Sequence, residues 1–336
     1  MDKAQTSRIR VLVVGSLDRE REQRYSEIMQ FHVLEQTSYQ EALARIPMTV
    51  KESGPFDAMI YLVNWEKPFP APLDERLLQP LVKAGLKFIS VGGAGYDRVD
   101  IDYLTANGII YANNPRTVMH RTADSTAMMI LMACKAATQQ ERSLREGKWA
   151  NRALKAKNPR GLTLGIVGMG NIGSIVRHED SLHEAFTTTA ERAHPVFAPS
   201  EEKNYEFVSL DELLARSDVI SLMCPLTPST RHLIGRSEFE KMKQDVILVN
   251  TSRGPVIDEP AMVDALNSGK VLRVALDVFE NEPKVHPGLL AHPGATLLPH
   301  AAVLDDTLEK ENVDEMFANL EAFARTGVPN TPVNLV

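Results

Sequence analysis

"LTLGIVGMGNIG", residues 162–173, decides the fold. An apolar strand runs into Gly168-Met169-Gly170-Asn171-Ile172-Gly173, and a helix can open at Asn171. In a strand–turn–helix of this kind Gly168 makes the tight turn and Gly170 lets the backbone approach a pyrophosphate. Gly173 allows the helix to pack closely on the strand. Phosphate charge then lies over the helix N-terminus, with Asn171 and Ile172 beside it. Such a unit calls for a second apolar strand about 20 residues on, ending in the residue that reads the adenosine ribose.

Working outward, strand-like apolar runs alternate with helical spacing along nearly the whole chain. Before the glycine loop come "IRVLVVG" (9–15), "FDAMIYLV" (56–63), "LKFISVGG" (86–93) and "GIIYAN" (108–113), with "SYQEALARI" and "DERLLQPLVKAG" as helices between them. A long Met-rich helix is expected over about 121–145. After the loop come "SDVISLMC", "DVILVNTS", "RVALDVF" and "ATLLPH". The alternation predicts an α/β protein with parallel sheets and right-handed crossovers. "DDTLEKENVDEMFANLEAFARTG" (305–327) reads as an amphipathic helix stopped by Gly327 ahead of Pro329.

At 336 residues, 43% of them hydrophobic, the chain is long enough for two domains. A net charge of -7 argues against a nucleic-acid partner, so an acidic substrate must be drawn by a local positive group. Cys134 and Cys224 make neither a disulfide framework nor a metal cluster, and each reads as a small buried residue; no metal site is expected. "MDKAQTSRIRVLVVGS" has too short an apolar run for a signal segment or a membrane span, so the cytosol and no membrane partner are the expectation.

Three strand ends carry chemistry. Arg253, in "VNTSRGPVIDEPAMVDAL" (249–266), follows an apolar strand at the carboxyl end, where open α/β sheets bind ligands. Its guanidinium can grip a carboxylate through two parallel hydrogen bonds. "ALDVFENEP" places Asp277 and Glu282 past a strand, and "LLPHAAV" does the same for His300. A carboxylate paired with an imidazole fixes its tautomer and favours the protonated ring, a proton donor usable near neutral pH. Each residue alone has a structural reading; the three together after a dinucleotide loop do not. In "VGGAGYDRVDI" (91–101) small residues after a strand expose successive N–H groups, a nest suited to a carboxylate.

These motifs, with "MCPLTPSTRHLIG" and the closing "PVN", resemble the D-isomer-specific 2-hydroxyacid dehydrogenases, a family that includes glyoxylate/hydroxypyruvate reductases and phosphoglycerate dehydrogenases. The resemblance implies two Rossmann-like doubly wound parallel-sheet domains with a cleft that closes between them. Residues 1–117 and 304–336 would form a discontinuous outer substrate domain, and 118–303 an NAD(P)-binding domain, with crossings at Asn113-Asn114-Pro115 and near Val303. Arg253, Glu282 and His300 would be catalytic, and Gly93, Ala94 and Gly95 would hold the substrate carboxylate. Thr126, Cys224, Pro225, Thr230, Thr251, Ser252 and Asp277 would line the NAD or NADP site together with the glycine loop. The implied activity is reduction of a small 2-oxo acid to the D-2-hydroxy acid by a homodimer.

Only residues 174–197 depart from this pattern. "SIVRHEDSLHEAF" interrupts its apolar face at His178-Glu179-Asp180-Ser181, and "TTTAERAHPVFAPS" lacks the Val, Ile and Leu run expected of a doubly buried parallel strand. No acidic residue is assignable to a ribose 2′-hydroxyl there, and Arg192, which could meet a 2′-phosphate, belongs to no motif. The expectation is weak cofactor binding with little discrimination between NAD and NADP, and reduced or no activity. The second reading is therefore a catalytically impaired member, or a cofactor-sensing interaction protein like the C-terminal-binding-protein corepressors, which share this fold.

Overall fold

The computed structural model describes residues 8–35, 38–62, 72–149, 151–178, 182, 186–191 and 205–336. Its strands form two parallel sheets. The first contains β1 (Ile9–Val14), β2 (Met29–Leu34), β3 (Ala58–Tyr61), β4 (Phe88–Val91) and β5 (Ile110–Ala112), in spatial order β2-β1-β3-β4-β5. The second contains β6 (Leu162–Val167), β7 (Phe186–Glu191), β8 (Tyr205–Phe207), β9 (Val219–Leu222), β10 (Val246–Asn250), β11 (Val271–Leu276) and β12 (Ala295–Leu297), in order β12-β11-β10-β9-β6-β7-β8. Both orders are those of doubly wound Rossmann-like sheets.

The chain divides into two compact units, Met1–Val118 with Asp305–Val336, and Met119–Leu304. In the first, the pleat of β1 sorts its side chains between two cores. Leu12 and Val14 pack with Ile46, Leu77, Leu78 and Leu81, while Val11 and Val13 pack with Met316, Phe317 and Leu320 of the last helix, Leu308–Thr326. That helix stacks Phe317 on Tyr25 at 5.2 Å and Phe323 on Phe88 at 4.6 Å between ring centroids. It ends as its sequence requires, with Gly327 in the left-handed region at φ 80°. In the second unit, helix Pro115–Lys135 covers one sheet face with Ala127 and Ile130 against Ile166 and Val249, and helix Glu259–Asn267 covers the other with Met262 and Leu266 against Leu248 and Val274.

Three sequence expectations are corrected. The helix read over 121–145 begins at Pro115 and is two helices, Pro115–Lys135 and Ala137–Arg145, because Ala136 takes φ 53° and breaks the ladder. "MQFHVL" adds a strand to those expected: it is β2, a sheet edge whose pattern of buried and exposed residues carries no apolar run. The third correction bears on function. Phe186–Glu191 forms a regular strand, paired in parallel with β6 from Leu162↔Phe186 to Val167↔Glu191, and with β8 on its other side. Buried Leu182 and Phe186 anchor it in the core, and β-branched threonines suit the pleat where Leu or Val was expected. Residues 192–197, including Arg192, lie outside the described residues. Among the described residues no helix is long and apolar enough to cross a membrane.

Candidate active site

The strand order of the second sheet reverses between β6 and β9, and open α/β sheets bind ligands at the carboxyl ends flanking such a switch. The loops leaving these two strands touch. Gly168 has φ 100°, and a Cβ there would lie 2.6 Å from the Cys224 backbone nitrogen. A Cβ on Gly173 would overlap the Gly168 carbonyl oxygen, so helix Asn171–His178, which Asn171 and Ile172 open, can start this close only with glycine. Gly170 differs, with nothing within 4 Å of where its Cβ would stand. Two glycines are packed against and one faces open space, which is what a pyrophosphate-binding turn requires.

Of the other residues expected to line the cofactor, Cys224, Pro225 and Thr230 follow β9, Thr251 and Ser252 follow β10, and Thr126 lies on helix Pro115–Lys135 of the same unit. Cys224 is buried. Thr230 Oγ1 donates to the Pro225 carbonyl at 2.7 Å and accepts the Thr227 N–H at 2.8 Å, closing the turn after β9. Thr126 and Thr251 share a 2.7 Å hydroxyl–hydroxyl bond across a buried contact. Asn250, which sequence reading did not single out, holds the turn that carries Ser252 and Arg253. Its Oδ1 accepts the Ser252 N–H at 2.9 Å and hydroxyl at 2.8 Å, and its Nδ2 donates to the Arg253 carbonyl at 3.0 Å.

His300 Nδ1 lies 3.0 Å from Glu282 Oε2, and Glu282 Oε1 accepts the Phe279 N–H at 2.8 Å. Burial pushes the Glu282 carboxyl up, but the His300 hydrogen bond and charge, the Phe279 N–H and the Arg253 charge outweigh it and hold it below the usual carboxylate range. The Arg253 guanidinium donates to the Ser252 carbonyl at 2.7 Å. His300 sits at φ 54°, a left-handed conformation that costs energy for a side-chain-bearing residue. Asp277 holds it there: its carbonyl accepts the His300 N–H at 2.7 Å, and its carboxylate accepts the Ala301 and Ala302 N–H groups at 2.7 and 3.1 Å. Burial raises the Asp277 carboxyl above its ordinary value, against the pull of those two N–H groups and His300.

Two further features brace this arrangement. A Cβ on Gly254 would overlap the Phe279 carbonyl group, so the turn bearing Arg253 presses directly on the loop bearing Glu282. Glu259 Oε1 accepts the Glu280 N–H at 2.6 Å, and Glu280 Oε1 pairs with His232 Nε2 at 2.8 Å. Neither Glu259 nor Glu280 was legible as a site residue, since acids at a helix start and in a turn are commonplace; the Gly254 after Arg253 was the one available signal.

In the first unit, the bends after β4 leave Gly93 and Ala94 half-buried and Gly95 exposed. The Gly93 N–H donates to Asn312 Oδ1 at 3.1 Å, whereas the N–H groups of Ala94 and Gly95 have no partner among the described residues. At the end of β7, Glu191 stands opposite Val167, the residue before Gly168. An acidic residue therefore stands at the strand end for which the sequence pattern assigned none. Among the described residues no cluster of His, Cys, Asp and Glu could hold a metal ion.

The family model for the D-isomer specific 2-hydroxyacid dehydrogenase NAD binding domain matches residues 127–302. The chain is 39% identical over 278 residues to 4-methyl-2-oxopentanoate reductase A of Aspergillus oryzae, covering 82% of this chain and 84% of that protein. A crystal structure of a glyoxylate reductase from Paecilomyes thermophila superposes with a TM-score of 0.88 at 35% identity, over 97% of this chain and 98% of that one. An NADPH-dependent glyoxylate/hydroxypyruvate reductase from Sinorhizobium meliloti, solved with NADP and malonate, superposes with a TM-score of 0.79 at 26% identity, over 97% of each chain.

Proposed function

This chain belongs to the D-isomer-specific 2-hydroxyacid dehydrogenase family, oxidoreductases that use NAD or NADP, and we propose that it reduces a small 2-oxo acid, of the glyoxylate or hydroxypyruvate kind, to the D-2-hydroxy acid. The observation that carries this reading is the 3.0 Å pairing of His300 with a Glu282 whose carboxyl the Arg253 charge also lowers.

The chemistry a bound reduced nicotinamide supplies is a hydride for C2 of the 2-oxo acid. His300 holds the proton. With Nδ1–H donated to Glu282, Nε2 protonates the oxygen as it becomes an alkoxide. Glu282 fixes the ring orientation and stabilises the imidazolium. Arg253 binds the carboxylate and places positive charge beside the carbonyl oxygen where negative charge grows. Asp277, by holding 300–302, keeps the imidazole in register, and Thr126, Cys224, Pro225, Thr230, Thr251 and Ser252 line the cofactor. Gly168, Gly170, Asn171, Ile172 and Gly173 take its pyrophosphate.

Glu191 supports NAD over NADP, because an acidic residue at this strand end accepts ribose hydroxyls and repels a 2′-phosphate. Residues 118–303 are the cofactor domain in this reading. Residues 1–117 and 304–336 are the substrate domain, with Ala94 and Gly95 offering N–H groups to the carboxylate beside Gly93. We place the protein in the cytosol as a homodimer; exposed Leu144 and Trp149 are apolar surface that a second copy would cover. Sedimentation showing only monomer at micromolar concentration would reject the dimer.

The direct test is loss of reduced-nicotinamide absorbance on adding glyoxylate, hydroxypyruvate or a bulkier 2-oxo acid. Turnover with one or more of these, faster with NADH than NADPH, is expected. No turnover with any of them, despite cofactor binding, would favour the cofactor-sensing alternative.

A further inference from the structure

The turn Asn113-Asn114-Pro115 and the last helix, both outside the chemistry described above, meet at the loop proposed to hold the substrate carboxylate. Asn312 is buried in that helix, and its Oδ1 is an acceptor for two donors. One is the Gly93 N–H at 3.1 Å; the other is Asn114 Nδ2 at 2.9 Å, which also reaches the Asn312 carbonyl at 2.6 Å. The Asn114 N–H in turn donates to the Gly93 carbonyl at 2.8 Å. Gly93 is thus held by both its polar groups. Next along the loop, the Ala94 carbonyl accepts Asn113 Nδ2 at 2.6 Å. The preceding residue, Gly92, packs so tightly on the Asn312 amide that a Cβ there would overlap it.

We propose that Asn312 is a positioning residue for the substrate carboxylate. It occupies the Gly93 N–H and fixes that residue's backbone, so the loop presents the N–H groups of Ala94 and Gly95 to the anion. A neutral amide suits this task. It offers an acceptor to a backbone N–H without placing a negative charge beside an anion-binding loop, which an aspartate would do. The inference rests on the reading that this loop binds the carboxylate.

The test uses full-length enzyme, reduced cofactor, and two substrates that differ in charge, glyoxylate and its neutral amide. Asn312→Asp keeps both acceptor bonds and adds a charge. It should raise the KM for glyoxylate about tenfold with kcat within about twofold, and leave the amide's kcat/KM unchanged. Asn312→Ala, which removes the acceptor, should lower the same acid-over-amide preference, and it stands in if the aspartate variant does not fold. Equal losses for acid and amide, or no loss for either, overturn the proposal. Ala94→Pro, with Gly95→Pro as its substitute, removes an N–H from the loop and tests the underlying reading. If it abolishes the preference while Asn312→Asp leaves it intact, only the role of Asn312 falls. If it leaves the preference intact, the loop does not bind the carboxylate and both fall.

Discussion

Glu282 uses its two oxygens on different partners: Oε2 lies 3.0 Å from His300 Nδ1, and Oε1 accepts the Phe279 N–H at 2.8 Å. The imidazole is therefore tied to a carboxylate that is itself tied to the backbone, and a buried acid stays below its ordinary range despite desolvation. Removing that charge takes away the carboxylate that faces the imidazole. Glu282→Gln is expected to move the pH profile of reduction toward acid, measured as kcat/KM from pH 5 to 9. An unchanged profile would make Glu282 structural. Because the folded carboxyl is depressed, its contribution to stability is full above the unfolded value, about pH 4.3, and disappears as pH falls through the folded one. Acid unfolding below about pH 4.3 should accordingly be shallower in the variant.

His300→Ala should lower turnover by about 10²–10⁴-fold, the usual contribution of a positioned acid. Arg253→Ala should act mainly on 2-oxo acid binding and transition-state stabilisation, raising KM and lowering kcat/KM while cofactor affinity holds. Near-normal rates in both variants would remove the assignment.

Gly254 admits no side chain without a shift, because a Cβ there would overlap the Phe279 carbonyl group. Gly254→Ala must separate the turn of Arg253 from the loop of Glu282. A stability loss of about 1–3 kcal/mol, the range for overpacking, should accompany a larger loss of activity than that destabilisation explains. A folded variant with wild-type kcat/KM would show that this contact does not hold the site.

The last position of β7 provides a cofactor test. Glu191→Ser should narrow the preference for NADH over NADPH by about tenfold or more, since 1.4 kcal/mol of lost repulsion suffices. Calorimetric titration with both cofactors measures it. A wild-type protein without preference, or a variant with the same preference, would contradict the assignment of Glu191.

Phe317 on the last helix is fully buried and stacks on Tyr25. Phe317→Ala should cost about 3–5 kcal/mol, and deletion of everything after Val303 should cost the first unit its fold, read as a lowered melting transition. A truncated protein that melts like the full chain would make the helix an appendage.

Much of this was legible in the chain itself. The glycine spacing of 168–173 has a backbone reason that holds wherever it follows a strand. Apolar runs such as "VLVV" and "VILVN" specify strands buried on both faces. Arg253, Glu282 and His300 announced themselves by recurring at strand ends. The stretch 186–191 did not, because threonine is an ambiguous residue. Its place in the sheet came from the ladder that β6 and β8 offer on either side, a non-local contribution that no apolar pattern records. Ala136 and His300 likewise adopt left-handed backbones that their residue types disfavour, imposed by what surrounds them. Local propensity and periodicity wrote the strands, the turn and the helix ends into the sequence. Asn312 beside Gly93, and Glu259 beside Glu280, were decided by tertiary structure alone: hydrogen bonds between residues far apart in the chain exist only once packing brings them within reach.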